Sequence, residues 1–291
     1  MELPLVVGVD GSESSLRAVD WAADEAALHG VPLRLVNASL WERYEGAAFD
    51  EGPDRPSERV MAENIVGSAA ERARLRDPDL KILTDILPDD TVTALLSEGR
   101  NASALVTGSR GRSGLAEMLL GSVSLAVAAR ADCPVFVIRG SHATQSITHR
   151  RIVLGVDKPP QGLAAVRFAF QEAQARRAAL HAVRAWRCPA HETADQPLLA
   201  SDAAHYHESQ AAETLEEALR EAAADHPAVE LHRETAEGPA RKVLMRASAA
   251  ADLLIVGAQR RHGHFGLQLG RVAHTMLHHS VCPVAVVPQR A

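Results

Sequence analysis

The chain has 291 residues, of which 46% are hydrophobic but only 3% aromatic, so its cores must be built mainly from Ala, Val and Leu. At roughly 150 residues per domain that length suggests two domains. A formal charge of −6, from 31 Lys and Arg against 37 Asp and Glu, argues against general binding to nucleic acid or an anionic membrane.

The N-terminal stretch lacks a basic-then-apolar leader pattern, and no apolar run approaches the ~18 residues of a membrane span. A soluble, cytoplasmic protein is the expectation. Cys133, Cys188 and Cys282 make neither a disulfide framework nor a CxxC site. Cys133 and Cys282 each precede a proline at a strand start, where a small buried apolar residue is the simple reading.

In chain order, short β-branched runs alternate with segments of helical period, the mark of βαβ units around a parallel sheet covered on both faces. In the first half the pattern predicts strands near 4–9, 33–38, 80–86, 103–108 and 134–139, with helices near 13–29, 58–76, 90–100 and 121–131. Ser12, Ser14 or Ser15 can cap the first helix, and Gly30 stands where a glycine would end it. In the second half strands are predicted at 152–157, 180–186, 229–235, 253–257 and 284–288, and helices at 161–178, 205–224, 239–250 and 270–280. Residues 44–57 and 188–200 read as excursions at equivalent places, and 140–150 as a polar linker.

The halves repeat one another. Val6-Val7-Gly8-Val9-Asp10 returns as Val153-Leu154-Gly155-Val156-Asp157, Ala104-Leu105-Val106-Thr107-Gly108 as Leu253-Leu254-Ile255-Val256-Gly257, and Cys133-Pro134-Val135 as Cys282-Pro283-Val284. One fold used twice, over 1–141 and 149–291, is the expectation.

The run Thr107-Gly108-Ser109-Arg110-Gly111, with Gly121-Ser122 after nine intervening residues, lies between a predicted strand and a predicted helix. Glycine lets backbone approach a ligand closely, and a helix N-terminus offers free N–H groups and positive potential to an anion. This makes a phosphate cradle without a Walker-type lysine. The G-x4-G-K-[ST] pattern is absent and the only lysines are Lys81, Lys158 and Lys242.

The G-x2-G-x9-G-S spacing after a short apolar strand resembles the ATP-binding motif of the universal stress protein family. The opening strand ending in Asp10 and the closing strand from Cys133 to Ile138 resemble that family too. The resemblance covers nearly the whole chain. It implies two tandem open-sheet α/β domains, each a five-stranded parallel sheet of order 3-2-1-4-5 flanked by helices, like adenine-nucleotide α-hydrolases. It also implies a nucleotide site at the carboxyl ends of the first and fourth strands, where strand order reverses.

Residue by residue, Gly108, Gly111, Gly121 and Ser122 match the phosphate and ribose loop. Thr107, Ser109, Arg110 and Arg112 belong to the same loop, and Val123 and Ser124 continue the helix's first turn. For Arg110 and Arg112 a solvated loop face stands beside ligand contact. Asp10, flanked by Val9 and Gly11, is the acidic residue near the nucleotide; it would bind a ribose hydroxyl or a phosphate-bound Mg2+, or else cap the first helix. Ala38 matches the place where backbone meets the adenine edge, and is equally an ordinary core residue.

The second half keeps Asp157, Gly257 and Gly270 but has Arg260 in place of Gly111 and Arg271 in place of Ser122. Three readings stand there: a lost or weakened site, an altered one in which arginines grip phosphate, or a variant that still binds ATP. The first is preferred. His274 and His278, i and i+4 on a predicted helix, could face one metal, but no carboxylate or thiol completes a set, so solvated or interface histidines are the simpler reading.

The functional expectation is an ATP-binding, nucleotide-dependent stress-response regulator holding ATP with Mg2+ and having no fast enzymatic activity. The alternatives are a nucleotide-independent protein-interaction module and a slow ATPase; no G-x-S-x-G nucleophile or arginine-finger signature is present. A homodimer, or pairing of the two halves as an intrachain pseudo-dimer through open strand edges, is also expected.

Overall fold

The computed structural model describes residues 2–40, 58–110, 120–139, 149–160, 162–188, 197–258, 260–263 and 266–289. The chain divides into two compact units, Met1–Arg139 and Gly140–Ala291.

In the first unit the elements run β1 (Leu5–Gly8), α1 (Glu13–His29), β2 (Leu33–Ala38), α2 (Glu58–Arg76), β3 (Ile82–Leu87), α3 (Thr91–Glu98), β4 (Ala104–Gly108), α4 (Ser122–Arg130) and β5 (Val135–Ile138). The strand order is β3-β2-β1-β4-β5, all parallel. The interior strand β4 is buried along its length, whereas β3, Ile-Leu-Thr-Asp-Ile-Leu, at the border, is half-exposed. That contrast follows from position: a strand covered on both faces must be apolar throughout, and a border strand need not be.

Helix α1 packs on the sheet through Ala18, Val19, Ala22, Ala23 and Ala26, an i, i+1, i+4, i+5, i+8 stripe of small residues. Arg72 of α2 donates to both carboxylate oxygens of Asp20, at 2.7 and 2.6 Å, and ties α2 to α1. Phe136 of β5 meets Trp21 of α1 with ring centroids 4.7 Å apart.

The second unit runs β6 (Arg151–Gly155), α5 (Leu163–Arg176), β7 (Ala179–Trp186), α6 (Pro197–Asp225), β8 (Leu231–Glu237), α7 (Ala240–Ser248), β9 (Leu253–Ala258), β10 (Arg260–Gly263), β11 (Gly266–Leu269), α8 (Arg271–His279) and β12 (Val284–Pro288). Its parallel strands lie in the order β12-β9-β6-β7-β8. Counted from its own first strand this is again 3-2-1-4-5, as expected.

The repeat extends to the helix stripes. Buried Ala62, Val66, Ala69, Ala70 and Ala73 on α2 return with identical spacing as Ala211, Leu215, Ala218, Leu219 and Ala222 on α6. Two features differ from the sequence expectations. Helix α6 begins at Pro197, inside the stretch read as an excursion, and β10 and β11 form an unpredicted antiparallel hairpin between β9 and α8. The other excursion, at 44–57, and most of the 140–150 linker lie outside the described residues.

Candidate functional site

The first-half site is built where β1 and β4 end side by side. Beyond β1, Val9 donates its N–H to the Val36 carbonyl at 2.9 Å, and its own carbonyl accepts from Asn37 Nδ2 at 2.7 Å. The next residue, Asp10, accepts the Ser12 N–H on Oδ1 at 3.0 Å. Gly11 between them has φ +78°, a left-handed conformation that a side chain would strain. The Ser12 hydroxyl then caps α1 by accepting from the Ser15 N–H at 3.2 Å. Asp10 thus shapes the turn with one oxygen and lines the cavity described below.

At the end of β4 the backbone of α1 comes very close. A Cβ on Gly108 would stand 2.6 Å from Ser14 Oγ and 2.7 Å from the Ser14 carbonyl oxygen. Ser109 is buried; its carbonyl accepts the Gly121 N–H at 2.9 Å, and its hydroxyl lies 3.5 Å from that of Ser14. The Ser124 hydroxyl donates to the Gly108 carbonyl at 2.7 Å. These bonds lock the start of α4 against the end of β4.

Helix α4 opens at Gly121 with no side-chain cap, so its first N–H groups face the adjoining cavity of about 200 Å³. The buried Thr107 hydroxyl, also at this cavity, has no hydrogen-bond partner among the described residues. Arg110 borders it as well. The half-buried Arg139 has its pKa lowered, first by desolvation and then by the Arg110 guanidinium.

Of the residues expected to bind nucleotide, Val9, Asp10, Ala38, Thr107, Gly108, Arg110, Gly121, Ser122, Val123 and Ser124 line this one cavity. Gly11 and Ser109 do not; they shape the turn and the latch behind it. Gly111 and Arg112 lie outside the described residues. Sequence reasoning missed Asn37, Ser15, Thr91 and Leu95, which also line the cavity. Asn37 carried a signal, a polar residue directly after the buried run Leu35-Val36 at the end of β2.

The second half has a cavity of about 620 Å³ at the equivalent place, lined by Asp157, Gly257, Gly270 and Arg271 among the expected residues. Arg260 starts β10, and its backbone pairs with Leu269. Asp157 accepts the Lys158 N–H at 2.8 Å. A Cβ on Gly257 would press only on the end of the Gln289 side chain, at 3.0 Å, with Gly162 Cα at an ordinary 3.8 Å, so the tight helix approach of Gly108 is not repeated. Arg184, which the sequence reading passed over, lines this cavity and donates from Nη1 to the Val156 carbonyl at 3.1 Å.

His274 and His278 lie with ring centroids 4.4 Å apart on α8. Cys133 and Cys282 are buried thiols, each pushed up to about 11 by desolvation and therefore protonated near neutral pH. No helix among the described residues is long and apolar enough to cross a membrane.

The sequence profile of the Universal stress protein family matches residues 3–139 and again 148–288. Universal stress protein Rv2005c of Mycobacterium tuberculosis is 34% identical over 298 residues, covering 98% of this chain and 97% of that protein. A universal stress protein of Mycolicibacterium smegmatis is 29% identical over 296 residues, covering 99% and 98%. Among solved structures, that of a universal stress protein from Archaeoglobus fulgidus superposes with a TM-score of 0.68 at 18% identity, covering 99% of this chain and 98% of that one; this likeness concerns the fold.

Proposed function

The chain belongs to the universal stress protein family, and from that premise we propose that its first half binds ATP and works as a nucleotide-dependent stress-response regulator, not as a fast enzyme. The observation that carries this reading is the junction of β4 and α4. There an uncapped helix start, Asp10 and Arg110 border one cavity. The free N–H groups of α4 suit a phosphate chain, and the Ser122 hydroxyl adds a donor at the same end.

A magnesium ion fits this donor set. Asp10 is the single carboxylate among the described lining residues, and it uses Oδ1 on the Ser12 N–H. Asp10 would hold a phosphate-bound Mg2+, and the ion would supply charge neutralisation for the phosphates. The same tie to Ser12 supports a structural and binding role for this carboxylate, not that of a general base for in-line attack on phosphate.

Isothermal titration of the full chain with Mg·ATP tests the reading. Saturable binding that weakens at least tenfold in Gly121→Glu supports it, because that change sets a carboxylate at the helix start while leaving φ −64° and ψ 146° accessible. Unchanged affinity in the variant, or no binding, contradicts it. Turnover of excess Mg·ATP well above that of Gly121→Glu would replace the regulator reading with an ATPase.

A further inference from the structure

We propose that the second half holds a separate ligand site whose preference is for a guanine nucleotide over an adenine nucleotide, set by Arg184, with Arg271 at the phosphate end. The two cavities share their frame, with Asp10 and Asp157 after the first strand of each half and Gly121 and Gly270 before the helix. Their walls differ in chemistry. The hydroxyls of Thr91, Thr107 and Ser124 in the first give way to Ala240, Val256 and Ala273 in the second. The charged groups on the wall are Asp157 and the two arginines, with the Gln289 amide beside Gly257.

Arg184 occupies the register position of Asn37. Gly8 pairs with Val36 and Gly155 with Val183, so each polar residue is the next along its strand. Both side chains reach the same carbonyl: Asn37 donates to Val9 at 2.7 Å, and Arg184 to Val156 at 3.1 Å. The exchange replaces a neutral amide, which both donates and accepts, by a guanidinium that only donates. Arg184 Nε is shielded from solvent and from the cavity and has no partner among the described residues, so a ligand would meet the guanidinium at its Nη end. Desolvation lowers the Arg184 pKa and the Asp157 carboxylate raises it, so a ligand acceptor here relieves a buried charge.

A guanine presents two acceptors, N7 and O6, to such a group, whereas adenine presents its N6 amino donor beside N7. The other end of the site suits phosphate. Helix α8 starts at Gly270 without a side-chain cap, and its first residue is Arg271. The sheet order sets the reach between them: β7, β6 and β9 are successive strands, so Arg184 and the segment following β9 are about 10 Å apart across the sheet. That span suits a base at one end and a phosphate at the other. The cavity volume of about 620 Å³ lies within the ~300–1,000 Å³ usual for small-molecule sites.

The inference does not depend on the first half holding ATP, and one experiment separates the two. The full-length Gly121→Glu variant, blocked in the first half, is titrated with Mg·GTP and with Mg·ATP. Saturable GTP binding, at least tenfold tighter than ATP, is expected. Adding Arg184→Asn recreates the Asn37 arrangement and should weaken GTP at least tenfold and erase the preference. Arg184→Lys, which keeps the charge but not the planar fork, should weaken GTP too; circular dichroism melts confirm that both variants are folded. No GTP binding in Gly121→Glu, equal or tighter ATP binding, or GTP affinity unmoved by both Arg184 variants overturns the proposal. Failure of the first-half reading shows separately, as a wild-type chain that does not bind Mg·ATP while Gly121→Glu still binds Mg·GTP.

Discussion

Ser14 stands where a side chain on Gly108 would have to go: its carbonyl oxygen lies 2.7 Å from the Cβ position. The glycine at the end of β4 therefore serves the approach of α1 at least as much as the approach of a ligand. Backbone cannot swing aside as a flexible side chain can, so Gly108→Ala should destabilise the first unit by about 1–3 kcal/mol. Gly257→Ala, which presses only on the tip of Gln289, should cost clearly less. Thermal melts of the two variants side by side check this, and equal losses would refute the packing explanation.

The pairing of α1 with α2 offers a second test. Arg72 grips Asp20 through two bonds, and the Asp20 side chain is only 13% exposed. The same bond raises the Arg72 pKa. Arg72→Ala leaves a mostly buried carboxylate without its cation and should cost about 1–3 kcal/mol. Arg59→Ala, at an exposed pair with Glu63, should cost well under about 1 kcal/mol. Urea denaturation of the two variants distinguishes them.

In the second unit His181 gives stability a pH dependence of known sign. Its ring stacks on His232 with centroids 4.4 Å apart and sits 2.9 Å from Arg151 Nη2. Desolvation first, then the charges of Arg151 and His232, lower its pKa to about 4, against a slight rise from Glu230. The unfolded chain takes up the proton near pH 6.5, and the folded one only near 4. Between those values the unfolded state binds more protons, so the contribution is present above pH 6.5 and is lost as pH falls towards 4. His181→Gln should flatten this part of the acid limb in melts across pH 4 to 7; an unchanged slope would assign the dependence elsewhere.

Much of the fold was legible in the sequence because the repeat is written in its buried positions. The end of β4 at Gly108 and the helix over 58–76 follow directly from apolar periodicity. The β10–β11 hairpin was not legible: Arg260-Arg261-His262-Gly263 and Gly266-Leu267-Gln268-Leu269 contain no β-branched residue, and β propensity is weak against tertiary context.

The candidate site was readable as a set of positions but not as a set of jobs. Ser124 and Ser109 read as ligand contacts, yet their hydroxyls turn to the Gly108 carbonyl and to Ser14. Arg184 escaped notice because a charged residue near a strand end reads as solvated. Only the pairing of β6 with β7 sets it against the Val156 carbonyl.

The most direct test of nucleotide binding by the first half is native mass spectrometry of gently purified protein, with the released ligand identified by chromatography, for the wild type and Gly121→Glu. The expected result is an adenine nucleotide on the wild-type chain, carried over or taken up from added Mg·ATP, and its loss in the variant. A wild-type chain that stays empty of adenine nucleotide even with Mg·ATP present would contradict nucleotide binding and leave a protein-interaction module as the reading of this fold.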